Sequence, residues 1–341
     1  MGMSDDELEF ACEPKSTDAS TWVHWTSEVY SFGKCLRYWT KYPSFLPLYV
    51  YSDHGAGLHS HLSPHEIENT ARVYFTWRAI KEQRYKNLTG KKVLQITHPW
   101  ISYRRMRGIS RSKTPSGTLV FYTHSTNEVK WIGHDTEKYF EELRSLPDKF
   151  QPVVLCLHMH DINAGLHKSL RRHGFPIVTA GNALSINFVD HFYNIVKNYS
   201  FATSQIWGSN VAYCVELGIP YFFLGNRPEL VNISDQNLPE GVAPQYWDKF
   251  HEELGKKAEA LFRMPIDSVS EEQRAFVESI LGLNSRLTRW QVSWILWREF
   301  FRNWWPFTRK IYGELILGFL GKLGLLGIKA KAIRYFKNKI D

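Results

Sequence analysis

Between Gly117 and Gly225 short apolar runs alternate with amphipathic stretches, and this rhythm constrains the fold more than any other feature of the chain. TLVFYT (118–123) reads as a strand, DTEKYFEELRSL (135–146) as a helix and PVVLCLHM (152–159) as a strand. NAGLHKSLRRHG follows as a helix stopped by glycine, then PIVTAG as a strand, SINFVDHFYNIVKNYS as a helix and FATSQI as a strand. SNVAYCVELG and IPYFFLG continue the series as helix and strand. Each strand run is short and bounded by turn residues, as in a sheet covered on both faces. Alternation at this spacing requires crossover connections, which specify a parallel sheet flanked by helices.

The first hundred residues carry a weaker form of the same pattern. LPLYVYS (46–52), VYFTW (73–77) and KVLQIT (92–97) read as strands, with the helix-like AIKEQRYKNL before the last of them. A polar stretch with Arg104, Arg105, Arg107, Arg111 and Lys113 separates the two patterns. The expected organisation is therefore a flexible N-terminus (1–20), an N-terminal α/β domain (21–105), a linker (106–116) and a C-terminal α/β domain (117–265). Helices over 266–305 are expected to pack back on the core, and 306–341 forms a basic amphipathic tail. The expected class is α/β, with two Rossmann-like domains facing a cleft and a helical extension.

In an open parallel sheet, ligands bind beyond the carboxyl ends of the strands. That rule selects His124, Ser125 and Thr126 after the first strand of the second pattern, and His160 and Asp161 after the next. It also selects Asn182, and then Thr203, Ser204, Gly208 and Ser209. Hydroxyls and helix N-terminal amides suit phosphate oxygens, although Ser and Gly before a helix also serve as ordinary caps. Glu216, at the end of the following helix, is placed to accept hydrogen bonds from a ribose. In the first half, Asp53-His54-Gly55 follows a strand. Partial burial would raise Asp53 toward the pKa that a general base needs, and His54 could do that work unshifted; the triplet is also an ordinary turn.

TSQIWGSNVAYCVELGIPYFFLG resembles the donor-binding region of GT-B glycosyltransferases, where a strand, a Ser/Gly turn, a helix ending in Glu and a Gly-x-Pro strand hold the nucleotide sugar. GTLVFYTHST resembles the strand and phosphate-contacting loop that open that domain. YSDHG (51–55) resembles the acidic-Gly motif of bacterial sialyltransferases and Kdo transferases of this fold. The resemblance covers roughly residues 45 to 230. It implies a transferase for a nucleotide sugar, among which a CMP-linked acidic sugar, a UDP-sugar and a GDP-sugar stand open, with Asp53 or His54 as base and a glycan or lipid-linked acceptor. His98-Pro99 departs from the sialyltransferase pattern by lying before the linker, so His98, Arg104 and Lys113 stand only as possible phosphate contacts. A non-catalytic partner of a polysaccharide assembly, or another nucleotide-sugar enzyme, are the competing expectations. An epimerase would need a GxGxxG turn, which neither half carries.

Charge narrows the partners. The net charge is +8, yet residues 286–341 hold twelve Lys/Arg against three Asp/Glu. A nucleic-acid binder spreads its basic residues over a folded domain, so no nucleic acid is expected. There Trp290, Trp294, Trp297, Phe301 and Trp304 or Trp305 recur at helical spacing among arginines. This suits an interfacial helix, partly packed inward up to Phe301 and meeting lipid after Pro306. Four scattered cysteines and the acidic start suggest a cytoplasmic protein, peripheral on the inner membrane face. His54, His59, His61 and His65, like His158, His160 and Asp161, lack a zinc-enzyme spacing. No metal and no resident cofactor are expected.

Overall fold

A computed structural model describes residues 2–14, 22–59, 62–125, 129–132, 135–232, 241–242, 249–305 and 307–308. The chain starts with helix α1 (Asp5–Cys12), then α2 (Phe32–Thr40). Strands β1 (Tyr51–Ser52), β2 (Val73–Thr76) and β3 (Lys92–Gln95) form a parallel sheet in that order. Helices α3 (Pro64–Glu68) and α4 (Ala79–Thr89) make the crossovers, and α5 (Pro99–Arg107) leads out. Only two residues of LPLYVYS enter the ladder. Leu46, Leu48 and Val50 are nonetheless buried in the core beneath this sheet.

The second pattern becomes a five-stranded parallel sheet. It comprises β4 (Thr118–Phe121), β6 (Val153–Cys156), β7 (Ile177–Val178), β8 (Phe201–Ser204) and β9 (Tyr221–Phe223), separated from β4 in sequence by β5 (Val129–Ile132). Helices α6 (Thr136–Arg144), α7 (Met159–Asn163), α8 (Leu166–Leu170), α9 (Phe188–Val196) and α10 (Ser209–Glu216) connect them. The spatial order is β7-β6-β4-β8-β9. The chain therefore steps outward on one side of β4, then returns to its other side. This reversal opens a crevice at the carboxyl ends of β4 and β8, the topological switch point. An antiparallel ribbon of β5, β10 (Glu229–Asn232) and β11 (Gly241–Val242) was not legible in the sequence, where polar THSTNEVK masks any alternation.

Helices α11 (Lys249–Phe262), α12 (Glu271–Ile280) and α13 (Arg289–Arg302) return toward the first sheet. His98 N–H donates to Leu281 O, and Val292, Ile295, Leu296 and Phe300 of α13 join Leu36, Val50, Val73 and Phe75 in one core. The largest core holds Phe32, Trp77 and Trp100 from the first half together with Val189, Val211 and Tyr213 from the second. The two sheets thus share an apolar seam rather than a solvated gap.

Two segments outside the sheets are tied to the core. Within the N-terminal stretch residues 5–12 form α1, where Ser4 and Glu7 make a reciprocal capping box and Leu8 and Cys12 bury one face. The S-x-x-E signature was present in the sequence. Met3 N–H donates to Ile177 O and Asn182 N–H to Ala11 O, which fastens α1 beside β7. The expected linker is not free either. Ser112 N–H donates to Lys197 O, Ser116 N–H to Asn198 O, and Arg111 reaches Gly218 O and Ser200 O. Backbone carbonyls at helix and strand ends need donors, and these connector residues supply them.

Candidate functional site

A cavity of about 420 Å³ lies at the switch point, lined from both halves of the chain. The second half contributes the ends of β4 (Tyr122, Thr123, His124) and β8 (Ser204, Ile206, Trp207), His158, Thr179–Gly181, and Gly208–Asn210 at the start of α10. The first half contributes Tyr30, Phe32, His54, Gly55, Gly57 and His59, and Trp100, Phe188, Phe192 and Tyr213 complete the aromatic wall. Among the described residues no Lys or Arg lines it.

The strand ends create the polar part. Ser209 opens α10, whose N-cap Gly208 provides no side-chain hydrogen bond. The first-turn amides of such a helix lack partners within it and carry the positive end of the dipole. Ser209 Oγ accepts from Ala56 N–H at 2.8 Å, which ties this helix start to the loop after β1. Gly55 sits at φ +63°, and a Cβ there would stand 2.7 Å from Ser209 Oγ. Only glycine allows that approach. Trp77 Nε1 donates to Gly55 O and Trp207 Nε1 to Ala56 O, so indoles hold the loop from both sides.

Tyr30 and Ser31 both occupy the left-handed region, at φ 54° and 61°. Such backbone costs on the order of 1 kcal/mol or more per non-glycine residue and persists only where the surroundings fix it. They do: Tyr30 N–H donates to Ala183 O, Trp100 Nε1 donates to Tyr30 O, and Ser31 Oγ donates to Ser185 O. Strain at a cavity wall marks Tyr30 as a functional candidate. Its hydroxyl lies 3.3 Å from His158 Nε2. The sequence signalled these walls only through its 15% aromatic content.

His54 is half-buried, with ring centroids of Trp25 and Tyr30 at 5.4 Å, and its Nδ1 has no hydrogen-bond partner. Burial lowers its pKa to about 4. His124 stacks on His158 at 4.2 Å, and burial, reinforced by His160, brings it to about 4 as well. His158 is held well below the usual histidine value, first by burial and then by the neighbouring imidazoles. His54, His124 and His158 are therefore neutral at pH 7. Among the described residues no group of His, Cys, Asp and Glu is arranged to hold a metal.

Asp53 does not face this cavity. Its carboxylate is fully buried, receiving Arg78 Nη2 at 2.9 Å, Lys81 Nζ at 2.7 Å and Thr76 Oγ1 at 3.0 Å. Burial opposes its charge, but the two cations prevail and hold the carboxyl well below its ordinary range. The same Lys81 Nζ reaches Glu66 Oε1 at 2.6 Å, which balances two acids against two bases. A carboxylate so committed is a poor proton acceptor. Arg78 Nη1 also donates to Gly57 O and His59 O, so Asp53 positions the cavity loop through Arg78.

Several other expected contacts hold the fold instead. His98 is fully buried: Nδ1 accepts from Trp100 N–H, Nε2 meets Tyr213 Oη at 3.0 Å, and burial lowers its pKa to about 3. Asn182 donates to Cys12 O, and Thr203 Oγ1 donates to Phe222 O. Glu216 forms a bidentate pair with Arg104, at 2.7 and 2.6 Å, and also receives Arg105. None of Glu216, Arg104 and exposed Lys113 lines the cavity. Glu216→Gln should cost about 1–3 kcal/mol in urea unfolding while leaving nucleotide affinity unchanged. A selective loss of affinity would restore the ribose role.

His124, Ser204, Gly208 and Ser209 do line the cavity. Ser125, His160 and Asp161 instead line a neighbouring polar hollow that shares Tyr122 and Thr123 with it. Burial raises Asp161 to about 7, although His158 N–H and the Ser125 backbone donate to it. Thr126 and His61 lie outside the described residues. No family model matches the chain, and no curated protein or solved structure matches it either.

Proposed function

We propose that the chain is a nucleotide-sugar-dependent glycosyltransferase of GT-B type, taking its donor at the switch-point cavity. The observation that carries this reading is the pairing, across one cavity, of the uncapped α10 start with His54 from the opposite half. Helix amides would hold the donor phosphate, and Tyr122, Trp207 and Tyr213 would cover apolar faces of base or sugar. A site that no Lys or Arg lines among the described residues suits a donor with one phosphate, such as a CMP-linked sugar, better than a diphosphate.

In the transfer, the acceptor hydroxyl oxygen bonds to the anomeric carbon as the bond from that carbon to the donor phosphate oxygen breaks. The nucleotide leaves with the electron pair, the acceptor proton passes to neutral His54, and configuration inverts. Because burial holds His54 near pKa 4, it stays unprotonated throughout the pH range in which the fold is stable, so loss of activity on acidification should follow unfolding rather than titration of His54. His54→Ala should lower kcat by about 10²–10⁴-fold with nucleotide binding and melting temperature retained. Full turnover in that variant sinks the assignment. Thermal shift against CMP, UDP and GDP tests the donor, since a ligand of the native state raises its melting point. No shift with any of them overturns the reading.

A further inference from the structure

We infer that the outward face of α13 is a docking surface for an anionic lipid bilayer. Val292, Ile295, Leu296 and Phe300 pack against the first sheet, while Trp290, Trp294 and Phe301 stand 60–65% exposed, followed by Trp304 at 48% and Trp305 at 69%. At 100° per residue, 290, 294 and 301 form one stripe opposite the packed face. A shallow groove runs along it between Trp294, Trp297, Arg298, Phe301 and Arg302.

Soluble surfaces rarely leave several large aromatics contiguous. Indoles are instead suited to the headgroup boundary, where an apolar ring and a polar N–H meet different solvents. Cations sit directly on them: the Arg289 guanidinium lies 4.3 Å over Trp290 and that of Arg298 5.0 Å over Trp294. Arg298 and Arg302 both pair with the buried Glu299, at 2.6 and 3.1 Å, so Arg289, Arg298 and Arg302 against one acid leave the aromatic face net positive, which suits ring insertion beside an anionic surface.

Charge decides the occupant. The chain beyond Thr308 carries eight Lys/Arg against two Asp/Glu, so it is an electrostatically unfavourable cover for an arginine-bordered face. A second copy would set the same arginines against one another. An anionic bilayer is attracted by both the helix and the following segment. No helix among the described residues is long and apolar enough to cross a membrane; the exposed rings run along the side of α13, which sets the contact in the interface plane. Donor and acceptor chemistry play no part in this inference.

Full-length protein should co-sediment with phosphatidylcholine vesicles containing phosphatidylglycerol, weakly with phosphatidylcholine alone, and less as salt rises. Its tryptophan emission should shift to the blue. The double variant Trp294→Ser, Phe301→Ser removes two exposed rings, so its circular dichroism and nucleotide thermal shift should be unchanged. Its partitioning should fall at least about tenfold, the loss expected when two interfacial rings are withdrawn. Three results overturn the inference: no binding by the unaltered protein, unchanged partitioning of the double variant, or self-association in solution that this variant abolishes.

Discussion

Asp53→Asn should destabilise the protein by about 3–5 kcal/mol, the cost typical of breaking a buried ion pair by removing one partner. The substitution preserves volume but leaves Arg78 and Lys81, both almost wholly buried, facing Glu66 alone. Urea unfolding at pH 7 measures the effect directly. A loss under about 1 kcal/mol would show that water or rearrangement meets those charges. Removing Lys81 at the same time, as Asp53→Asn with Lys81→Met, should recover part of the loss because charge balance returns. Activity should fall in the single variant through the Gly55–His59 loop that Arg78 holds. This separates a positioning residue from a catalytic base, because refolded enzyme at low temperature or with bound nucleotide should regain turnover.

Acid should unfold the protein early, with stability dropping steeply between pH 6.5 and 4.5. A histidine whose folded pKa lies below its unfolded value takes up a proton only on unfolding, so its penalty grows as pH falls below the unfolded value. His98, unfolded near 6.5 and folded near 3, costs about 3 kcal/mol at pH 4.5, two pH units at 1.36 kcal/mol each. His54, His124 and His158 add terms of the same sign. Asp161 opposes them: with its folded pKa raised to about 7, it contributes stability as pH falls from 7 toward 3.8, offsetting roughly one histidine. Asp53, with a depressed pKa, loses its contribution only below its unfolded value of 3.8. Thermal unfolding at pH 7.5, 6 and 4.5 should show a melting point lowered by several degrees or more. A flat profile would mean that the buried imidazoles find water or partners.

What could be read without coordinates was what repeats locally. Each strand of the second sheet follows from a run such as VVLC or FATS, and each crossover from an amphipathic stretch, two of them stopped by glycine at Gly174 and Gly218. Hydrophobic period and turn chemistry are local, and they put His124, Ser204, Gly208 and Ser209 at strand ends, where the cavity lies. Side-chain direction is not local. Asp53 and His54 are adjacent, yet the first turns inward to Arg78 and Lys81 while the second borders the cavity. Glu216 faces Arg104, which is 112 residues earlier, and no spacing rule announces such a partner.

The Trp-rich helix shows the same division. Helical spacing made it amphipathic, but which apolar set would be buried depended on the shape of the first sheet. Aliphatic Val292, Ile295 and Leu296 fit against Val50 and Val73, and the indoles were left outside. The amino-acid sequence by itself thus determined a parallel α/β sheet, its switch-point rim and a basic aromatic helix, because period, turns and charge are properties of neighbouring residues. Tertiary structure alone decided that Asp53 is an anchor, that His54 borders the cavity and that the tryptophans face outward. Those outcomes depend on which distant groups share a buried volume, where desolvation and pairing, rather than residue type, set what a side chain can do.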